Sequence, residues 1–250
     1  MCSLIILRRP HHDWPLILAF NRDEKIDRPS LPPGRHWAER EKVIAGKDQI
    51  AGGTWLGLND FGLVAGVLNR KKTLGPNKQF RSRGELPLEA LDHAEAKIVA
   101  KHFLDLNPLA YQPFNFFVAD NNDAFWISSV MKGTQDIKIE KIPTGTSMLT
   151  DSDLNDRTCK RINYNLPRFA QANPPNPDKK DWSAWQNLLQ EGRYEICDHM
   201  DEVMTIPIHN NFGTVSSSLI AIPSTRFPSI KPYWFFSRWD FSKPFEQISI

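Results

Sequence analysis

Cysteine is scarce in this sequence, and the missing patterns around it exclude several kinds of site. Cys2, Cys159 and Cys197 lie far apart and form neither a CxxC pair nor a CxxCH run, so we expect no structural zinc site and no c-type haem. Sparse cysteine also suits a reducing compartment. The apolar run at residues 4–7 is too short for a signal peptide or a membrane span. We therefore predict a cytoplasmic protein without a transmembrane segment.

A strong charge of either sign is also missing. The 31 basic and 29 acidic side chains leave a formal net charge of +2, which favours neither nucleic acid nor an anionic membrane as a partner. Hydrophobic residues make up 40% of the chain, enough for a substantial core. No internal repeat or shift in composition marks a boundary. We expect a single domain over residues 1–250.

Two apolar, β-branched segments at the start of the chain predict a buried hairpin. They are residues 2–8 and 15–21, separated by a polar loop. If paired positions sum to 23, Cys2 lies opposite Asn21, with a cation and a carboxylate just beyond it.

A second hairpin is predicted from residues 53–58 and 63–68. Asn59 at the first turn position and Gly62 at the fourth are typical of a type I turn between these strands. If the residue numbers of each opposed pair in this hairpin add up to 121, Asn69 lies opposite residue 52.

The rest of the chain mixes helical and strand patterns. Apolar residues recur at spacings of three and four over 85–106, which predicts a helix with Ile98 on its buried face. Further helices are predicted in part of 155–170, limited by Pro167, and from Trp182 onward, and strands at 114–119, 124–129, 212–222 and 233–241. Hairpins with few helices indicate an α+β domain of sheets covered by helices.

Cys2 is the first candidate for chemistry. Initiator methionine is normally removed before a small second residue, which would leave a thiol and a free α-amine on Cys2. An α-amine has a reference pKa of about 7.7–8.0, so it can act as a base near neutral pH. It is a base on the same residue as the nucleophile. The alternative is that Cys2 is simply a small residue of a buried strand.

The charged residues after the second strand extend this hypothesis. Arg22 would lower the pKa of the nearby thiol and stabilise the thiolate. Asp23 could accept hydrogen bonds from the α-amine of Cys2 and hold it in place. The alternative is a strand end that carries solvated charges.

A series of short motifs runs through nearly the whole chain in a specific order. They are N-R-D-E (21–24), A-G-K-D (45–48), G-G-T-W-L-G-L-N (52–59), L-N-R (68–70), S-R-G (82–84) and G-T-V-S-S-S (213–218). The series resembles the NRDE family, also called the transport and Golgi organisation protein 2 family. That family is similar to N-terminal nucleophile (Ntn) hydrolases such as choloylglycine hydrolases and penicillin V acylases. The resemblance implies an α+β fold, an αββα four-layer sandwich of two antiparallel sheets covered by helices.

The resemblance also implies roles for individual residues. Cys2 takes the position of the nucleophile, and Arg22 and Asp23 fall near an arginine and an aspartate of the amidase site. Asn69 matches an asparagine of the oxyanion site, where one amide donor is typically worth about 3 kcal/mol.

The chain departs from the amidase pattern at two positions. Asp151 stands where amidases carry the asparagine of L-T-N, and a carboxylate there would repel an oxyanion unless it is protonated or points away. Val215 stands where the family often has the arginine of G-T-R-S-S. Either departure implies a different substrate or a lost hydrolase activity.

Three residues of the motifs are candidates for substrate binding: Asn21, Trp55 and Arg83. The alternative for Trp55 is a core or cleft-wall position, and for Arg83 a turn that leads into a helix. No metal site is expected: His11 and His12 belong to a polar hairpin loop, and His199 and His209 lack partners at ligand spacing.

Two functions remain open. The first is a cysteine Ntn hydrolase that needs no cofactor and cleaves a small molecule at a non-peptide amide, an ester or a thioester through an acyl-enzyme on Cys2. The alternative is a non-catalytic binding or trafficking protein for haem or for an acyl or lipid ligand on the same fold.

Overall fold

A computed structural model of the chain describes residues 2–75, 77–130, 137–192, 201–238 and 244–250. Its strands in chain order are β1 (Ser3–Arg8), β2 (Leu16–Lys25), β3 (Ser30–Gly34), β4 (Val43–Asp48), β5 (Leu56–Asn59), β6 (Val64–Asn69), β7 (Phe114–Ala119), β8 (Ala124–Ser129), β9 (Lys138–Lys141), β10 (Gly145–Leu149), β11 (Phe212–Ile222), β12 (Tyr233–Arg238) and β13 (Glu246–Gln247). Its α-helices are α1 (Glu85–Leu91), α2 (Ala96–His102), α3 (Lys160–Gln171) and α4 (Ser183–Leu189). The predictions for Cys197, His199 and residues 239–241 fall outside the described residues.

The first compact unit comprises Met1–Asp27 and Pro143–Ser249. Its antiparallel sheet has the strand order β10-β1-β2-β11-β12-β13. Helix α3 packs against β10, and α4 packs against β2. Alternate strand residues such as Ile5 and Ala19 join Phe169 and Trp185 of the helices in one buried cluster. Because alternate residues of a strand face one side, this cluster fixes which face of the sheet the helices cover.

The second compact unit is built from Arg28–Ile142. Its antiparallel sheet has the order β3-β4-β5-β6-β7-β8-β9. Helix α1 packs against β5 and β6, and α2 packs against β7 and β8. Phe114, Phe116, Leu91 and Val99 are buried in the shared cluster, and burying each such side chain stabilises the unit by about 1.5–3 kcal/mol. Two antiparallel sheets with helices packed on each confirm the predicted α+β class; the single-domain expectation stays a prediction.

The first hairpin forms, but its predicted register is wrong by one residue. Ser3 lies opposite Asn21, so paired positions sum to 24. The loop is centred on His12, because the Arg9 amide donates to the Pro15 carbonyl and the His12 amide donates to the Arg9 carbonyl. A shift of one residue changes which residues lie opposite each other, and Cys2 loses its predicted position opposite Asn21.

Strand β2 is also longer than predicted. It runs to Lys25, so the N-R-D-E motif lies inside the strand instead of following it. Asn21, Arg22 and Asp23 are all buried, which excludes the solvated strand end considered from the sequence.

The second hairpin shows the same one-residue difference. The Gly62 amide donates to the Asn59 carbonyl, which confirms the predicted turn. However, Leu58 pairs with Val64, so paired positions sum to 122. Gly62 has a left-handed φ of 82° and adds a third residue to the loop, as in hairpins that close with a type I turn and a glycine bulge. The predicted pairing of Asn69 with residue 52 is therefore wrong.

The helix predicted over 85–106 is in fact two helices. The chain leaves helical conformation after Leu91, and the Asn59 side-chain amide donates to the carbonyls of Leu91 at 2.9 Å and His93 at 2.6 Å. These bonds satisfy carbonyls that a continuous helix would satisfy itself. The break rotates the second helix, so that Ile98 is 40% exposed and Val99 takes the buried position.

Helix α3 continues past Pro167, which was expected to limit it. A proline has no amide to bond the carbonyl four residues earlier, that of Asn163. The Arg157 guanidinium donates to this carbonyl at 3.5 Å. An external donor thus replaces part of the missing helical bond. The strands predicted at 114–119 and 124–129 are confirmed residue for residue.

Candidate active site

Cys2 directly precedes β1 at one end of the first sheet. Since Ser3 lies opposite Asn21, continuing the antiparallel pairing by one residue sets Cys2 opposite Arg22. Arg22 in turn pairs with Ser216 on the next strand. Directly opposed residues of an antiparallel sheet project from the same face. Cys2, the buried guanidinium of Arg22 and Ser216 therefore share one face of the sheet.

Asp23 belongs to the opposite face of β2 and is held by a buried polar network. The Thr214 hydroxyl donates to Asp23 Oδ1 at 2.6 Å, and Arg161 Nη1 donates to Asp23 Oδ2 at 3.3 Å. The same Arg161 nitrogen donates to the Ser3 hydroxyl at 3.2 Å. The network ties α3 to the strand that carries Arg22. It fixes the backbone beside Cys2.

Cys2 contacts Asp23 through the main chain. The half-buried Cys2 thiol lies 3.9 Å from the Asp23 carbonyl oxygen, to which it donates a weak hydrogen bond. Burial, and then the negative charge of Asp23, raise the pKa of the Cys2 thiol to about 11. Arg22 lowers this pKa, as expected, but its effect is smaller. In the chain that retains Met1, the thiol is therefore protonated at neutral pH.

Asn21 is fully buried and bonded to protein groups. Its Nδ2 donates to the carbonyls of Leu189 at 3.0 Å and Met204 at 2.9 Å, and its Oδ1 accepts from the Ser217 hydroxyl at 2.6 Å. These bonds connect β2 to β11 and to the end of α4. They explain the asparagine of the N-R-D-E motif as a structural residue, and they give no support to its predicted contact with substrate.

Asp151 lies just beyond β10, at the end of the sheet where Cys2 precedes β1. Leu149 of β10 pairs with Leu4 of β1, and each candidate is two residues from its member of this pair. The Asp151 side chain is buried, with the residue 2% exposed. Neither carboxylate oxygen has a hydrogen-bond partner among the residues that the structure describes.

The remaining candidates belong to the second unit. Asn69 ends β6 opposite Phe114, and its predicted oxyanion role stays a prediction. Trp55 is 8% exposed and lies over Gly46, where an added Cβ would approach the indole ring to 2.3 Å. This close approach explains the glycine of A-G-K-D.

Arg83 is anchored to two neighbouring loops. Its Nη1 donates to the Thr73 hydroxyl at 2.9 Å and to the Pro113 carbonyl at 3.0 Å, and its Nη2 donates to the Thr73 carbonyl at 2.7 Å. These bonds give Arg83 a structural part, beside which the predicted contact with a substrate anion remains untested.

The G-G-T and S-R-G motifs contact each other. The Thr54 amide donates to the Gly84 carbonyl at 2.9 Å, and a Cβ on Gly53 would lie 2.5 Å from the Gly84 main chain. Only glycine allows the two backbones to come this close. The shared contact explains why both motifs contain glycine.

Arg161 and Thr214 are site-supporting residues that the sequence reasoning missed. An arginine in an amphipathic helix usually faces solvent, and the three-residue G-T-V step of β11 carries no charge signal. Their roles could be predicted only if it were known that α3 covers the face of β2 from which Asp23 projects.

Within the part of the chain that the structure describes, no set of three or more histidine, cysteine, aspartate or glutamate residues is placed to hold a metal ion. No helix in the same residues is long and apolar enough to cross a bilayer.

Comparison with protein families gives a match over residues 1–227 to Transport and Golgi organisation 2. The chain is 34% identical over 112 residues to the Transport and Golgi organization protein 2 homolog of Bos taurus, and 33% identical over 116 residues to that of Homo sapiens. These alignments span 43% and 44% of this chain, and 39% and 41% of the relatives' own length.

Solved structures with the same fold are N-terminal nucleophile hydrolases. Penicillin V acylase from Agrobacterium tumefaciens matches with a TM-score of 0.59 and 16% identity, over 95% of this chain and 83% of the acylase. A C2A mutant of the conjugated bile acid hydrolase from Clostridium perfringens matches with a TM-score of 0.57 and 9% identity, over 100% of this chain and 92% of the hydrolase. The N-acylethanolamine-hydrolyzing acid amidase ortholog of Caenorhabditis elegans matches with a TM-score of 0.53 and 13% identity, over 87% of this chain and 92% of the amidase. At these identities the similarity establishes the fold alone, and it confirms the predicted Ntn-hydrolase-like fold.

Proposed function

Because the chain belongs to the Transport and Golgi organisation 2 family and has an Ntn-hydrolase fold, we propose that it is a cysteine hydrolase of small acyl compounds. Its nucleophile is Cys2, and its substrate is a non-peptide amide, an ester or a thioester. One observation carries the proposal: Cys2 directly precedes β1, and continuing the β1–β2 pairing by one residue sets it opposite the buried Arg22.

The relatives support this assignment by their fold and their names. They are an acylase, an acid amidase and a conjugated bile acid hydrolase. The C2A substitution in the last of these shows that it, too, has cysteine as its second residue. A small acyl amide is therefore the first class of substrate to test.

Removal of Met1 is the step that activates the thiol in this proposal. A thiol whose pKa is about 11 is a poor nucleophile at neutral pH. A freed α-amine on Cys2, with an ordinary pKa near 8, supplies a proton acceptor on the same residue. Arg22 then stabilises the thiolate from the neighbouring strand.

The reaction has two halves. The α-amine takes the thiol proton, and sulfur attacks the acyl carbon. The leaving amine, alcohol or thiol departs with that proton, and a thioester remains on Cys2. Water then attacks the thioester while the α-amine accepts its proton. The carbon–sulfur bond breaks, the acid is released, and the proton returns to sulfur.

The test is turnover of a panel of chromogenic acyl amides, esters and thioesters by the processed chain. Cys2→Ala should abolish turnover, and a chain whose Met1 is kept by an uncleaved tag should show little. Cys2→Ser is the matched control for packing, because it keeps the shape of the site and loses the thiol. Equal turnover by the wild type and Cys2→Ala would refute the mechanism. No turnover by a correctly processed wild type would instead favour haem or acyl-chain binding, for which a haem titration followed at the Soret band is the direct check.

A further inference from the structure

Asp151 differs from the other buried carboxylates near Cys2. Arg161 and Thr214 donate hydrogen bonds to Asp23, whereas no group in the described part of the chain donates to either oxygen of Asp151. A buried carboxylate without a donor is strongly unfavourable unless a partner neutralises it. A positively charged hydrogen-bond donor would supply what the described residues do not give the Asp151 carboxylate.

The turn that carries Asp151 is fixed. The Asn155 amide donates to the Met148 carbonyl at 2.9 Å, and the Met148 amide donates to Asn155 Oδ1 at 2.8 Å. Thr150 Oγ1 also contacts Cys159 Sγ at 3.5 Å. These contacts hold the main chain on both sides of Asp151 in place.

A small organic cation is the partner that best fits the Asp151 carboxylate. In the residues that the structure describes, no third acidic, histidine or cysteine side chain is available to share a metal ion with a nearby pair. A neutral N–H donor would satisfy one hydrogen bond but would leave the charge uncompensated. A protonated amine supplies three donors and the positive charge together.

We propose that Asp151 binds a protonated primary amine at the Cys2 end of the sheet. The inference rests on the proposed function, because the amine has two sources there. One is the α-ammonium of Cys2 after Met1 is removed, and the other is an ammonium group on the substrate. In the second case Asp151 determines specificity and directs the enzyme toward cationic acyl compounds.

The experiment compares the processed wild type with Asp151→Asn, which keeps the shape and removes the charge. Asp153→Asn is the control, since it removes the same charge from a partly exposed residue of the same turn. The first arm measures kcat/KM for p-nitrophenyl 6-aminohexanoate and p-nitrophenyl heptanoate, whose acyl chains differ by an ammonium in place of a methyl group. The second arm follows the ionisation of the Cys2 α-amine by NMR of a chain labelled with 13C at the α-carbon of cysteine, which leaves the amine primary.

If Asp151 binds a substrate amine, Asp151→Asn should lower the kcat/KM ratio of the aminohexanoate to the heptanoate about tenfold. The titration midpoint of the Cys2 α-amine should then be unchanged. An α-amine partner predicts that the midpoint falls by about one pH unit, while the preference is unchanged. Asp153→Asn should do neither.

Absence of both effects in a folded Asp151→Asn protein overturns the inference, even if Cys2 still turns over both esters. If neither ester is hydrolysed, the second arm tests the α-amine as the partner of Asp151. Binding of an external amine is then tested by whether hexylammonium raises the melting temperature of the wild type more than hexanol does. If Asp151→Asn does not fold, two wild-type measurements decide. The first is the ratio of kcat/KM for the two esters. The second is the titration midpoint of the Cys2 α-amine in the folded chain, compared with the midpoint in the same chain unfolded in urea. Equal kcat/KM for both esters together with equal midpoints in both states would overturn the inference.

Discussion

Arg161 Nη1 lies 3.3 Å from Asp23 Oδ2, and both side chains are almost fully buried. Arg161 comes from α3 and Asp23 from β2, so this ion pair joins a helix to the strand beside Cys2. Thr214 of β11 adds a third element through its 2.6 Å bond to the same carboxylate. The position of Arg22 opposite Cys2 depends on this support.

Asp23→Asn should destabilise the protein by about 3 kcal/mol, because it leaves the Arg161 guanidinium buried without its counter-charge. Urea denaturation followed by circular dichroism measures the loss. Asp13→Asn is the control, since the Asp13–Arg226 pair is more than half exposed and should contribute about 1 kcal/mol or less. Equal losses for the two variants would contradict a structural role for the buried pair.

The Cys2 thiol should react slowly in a chain that retains Met1. A pKa raised from 9.0 to about 11 leaves about 100-fold less thiolate at pH 8. Since the folded state favours the protonated thiol, this group's contribution to stability is complete below pH 9 and is lost as the pH rises through 11. Iodoacetamide labelling with peptide mapping, from pH 7 to 11, gives the midpoint for Cys2. A midpoint at or below 9 would show that burial and Asp23 do not control the thiol.

Gly53→Ala should cost about 1–3 kcal/mol, because the new methyl group would lie 2.5 Å from the Gly84 main chain, which cannot move as a side chain can. Gly34→Ala is the control, because its methyl group would meet only the flexible His36 ring at 3.2 Å. Thermal denaturation of both variants provides the comparison. A smaller loss for Gly53→Ala than for Gly34→Ala would argue against the contact between the two motifs.

Arg83→Lys separates a structural role from contact with a substrate anion. The guanidinium donates from two nitrogens, Nη1 to the Thr73 hydroxyl and the Pro113 carbonyl and Nη2 to the Thr73 carbonyl. A single ammonium nitrogen cannot occupy both positions, so we expect a loss of about 1–2 kcal/mol in the free energy of unfolding. Arg81→Lys, at an exposed ion pair with Glu85, should change stability by less than about 1 kcal/mol. If Arg83→Lys instead leaves stability unchanged and raises KM for anionic substrates alone, the anion contact is the correct interpretation.

The sequence was sufficient to locate β1, β2, β7, β8 and β11, but β3, β4, β9 and β10 were not predicted, and the hairpin registers could not be set. Both hairpins were predicted with the wrong pairing for the same reason: each loop contains one residue more than a symmetric two-residue or four-residue turn. Gly62 signals this through its left-handed conformation, yet glycine at the fourth position is equally typical of a plain type I turn. Register depends on that choice, and local sequence does not make it.

The site was predicted in part. Continuing the β1–β2 pairing by one residue sets Cys2 opposite Arg22, whereas the sequence predicted Asn21 at that position. The roles of Asn21 and Asp23 were harder to foresee, because their partners Ser217, Arg161 and Thr214 are more than a hundred residues away in sequence. Contacts of this kind follow from how helices cover a sheet, which a single sequence does not specify.

Trapping the acyl-enzyme tests the central claim most directly. The processed chain is mixed with p-nitrophenyl heptanoate, quenched in acid within one turnover and digested. The mass of the N-terminal peptide is then measured by mass spectrometry. The account predicts a heptanoyl group on the sulfur of a Cys2 that begins the chain, absent from Cys2→Ala and from a tagged chain that keeps Met1. Hydrolysis of the ester with Cys2 unmodified, or acylation that persists in the tagged chain, would contradict it.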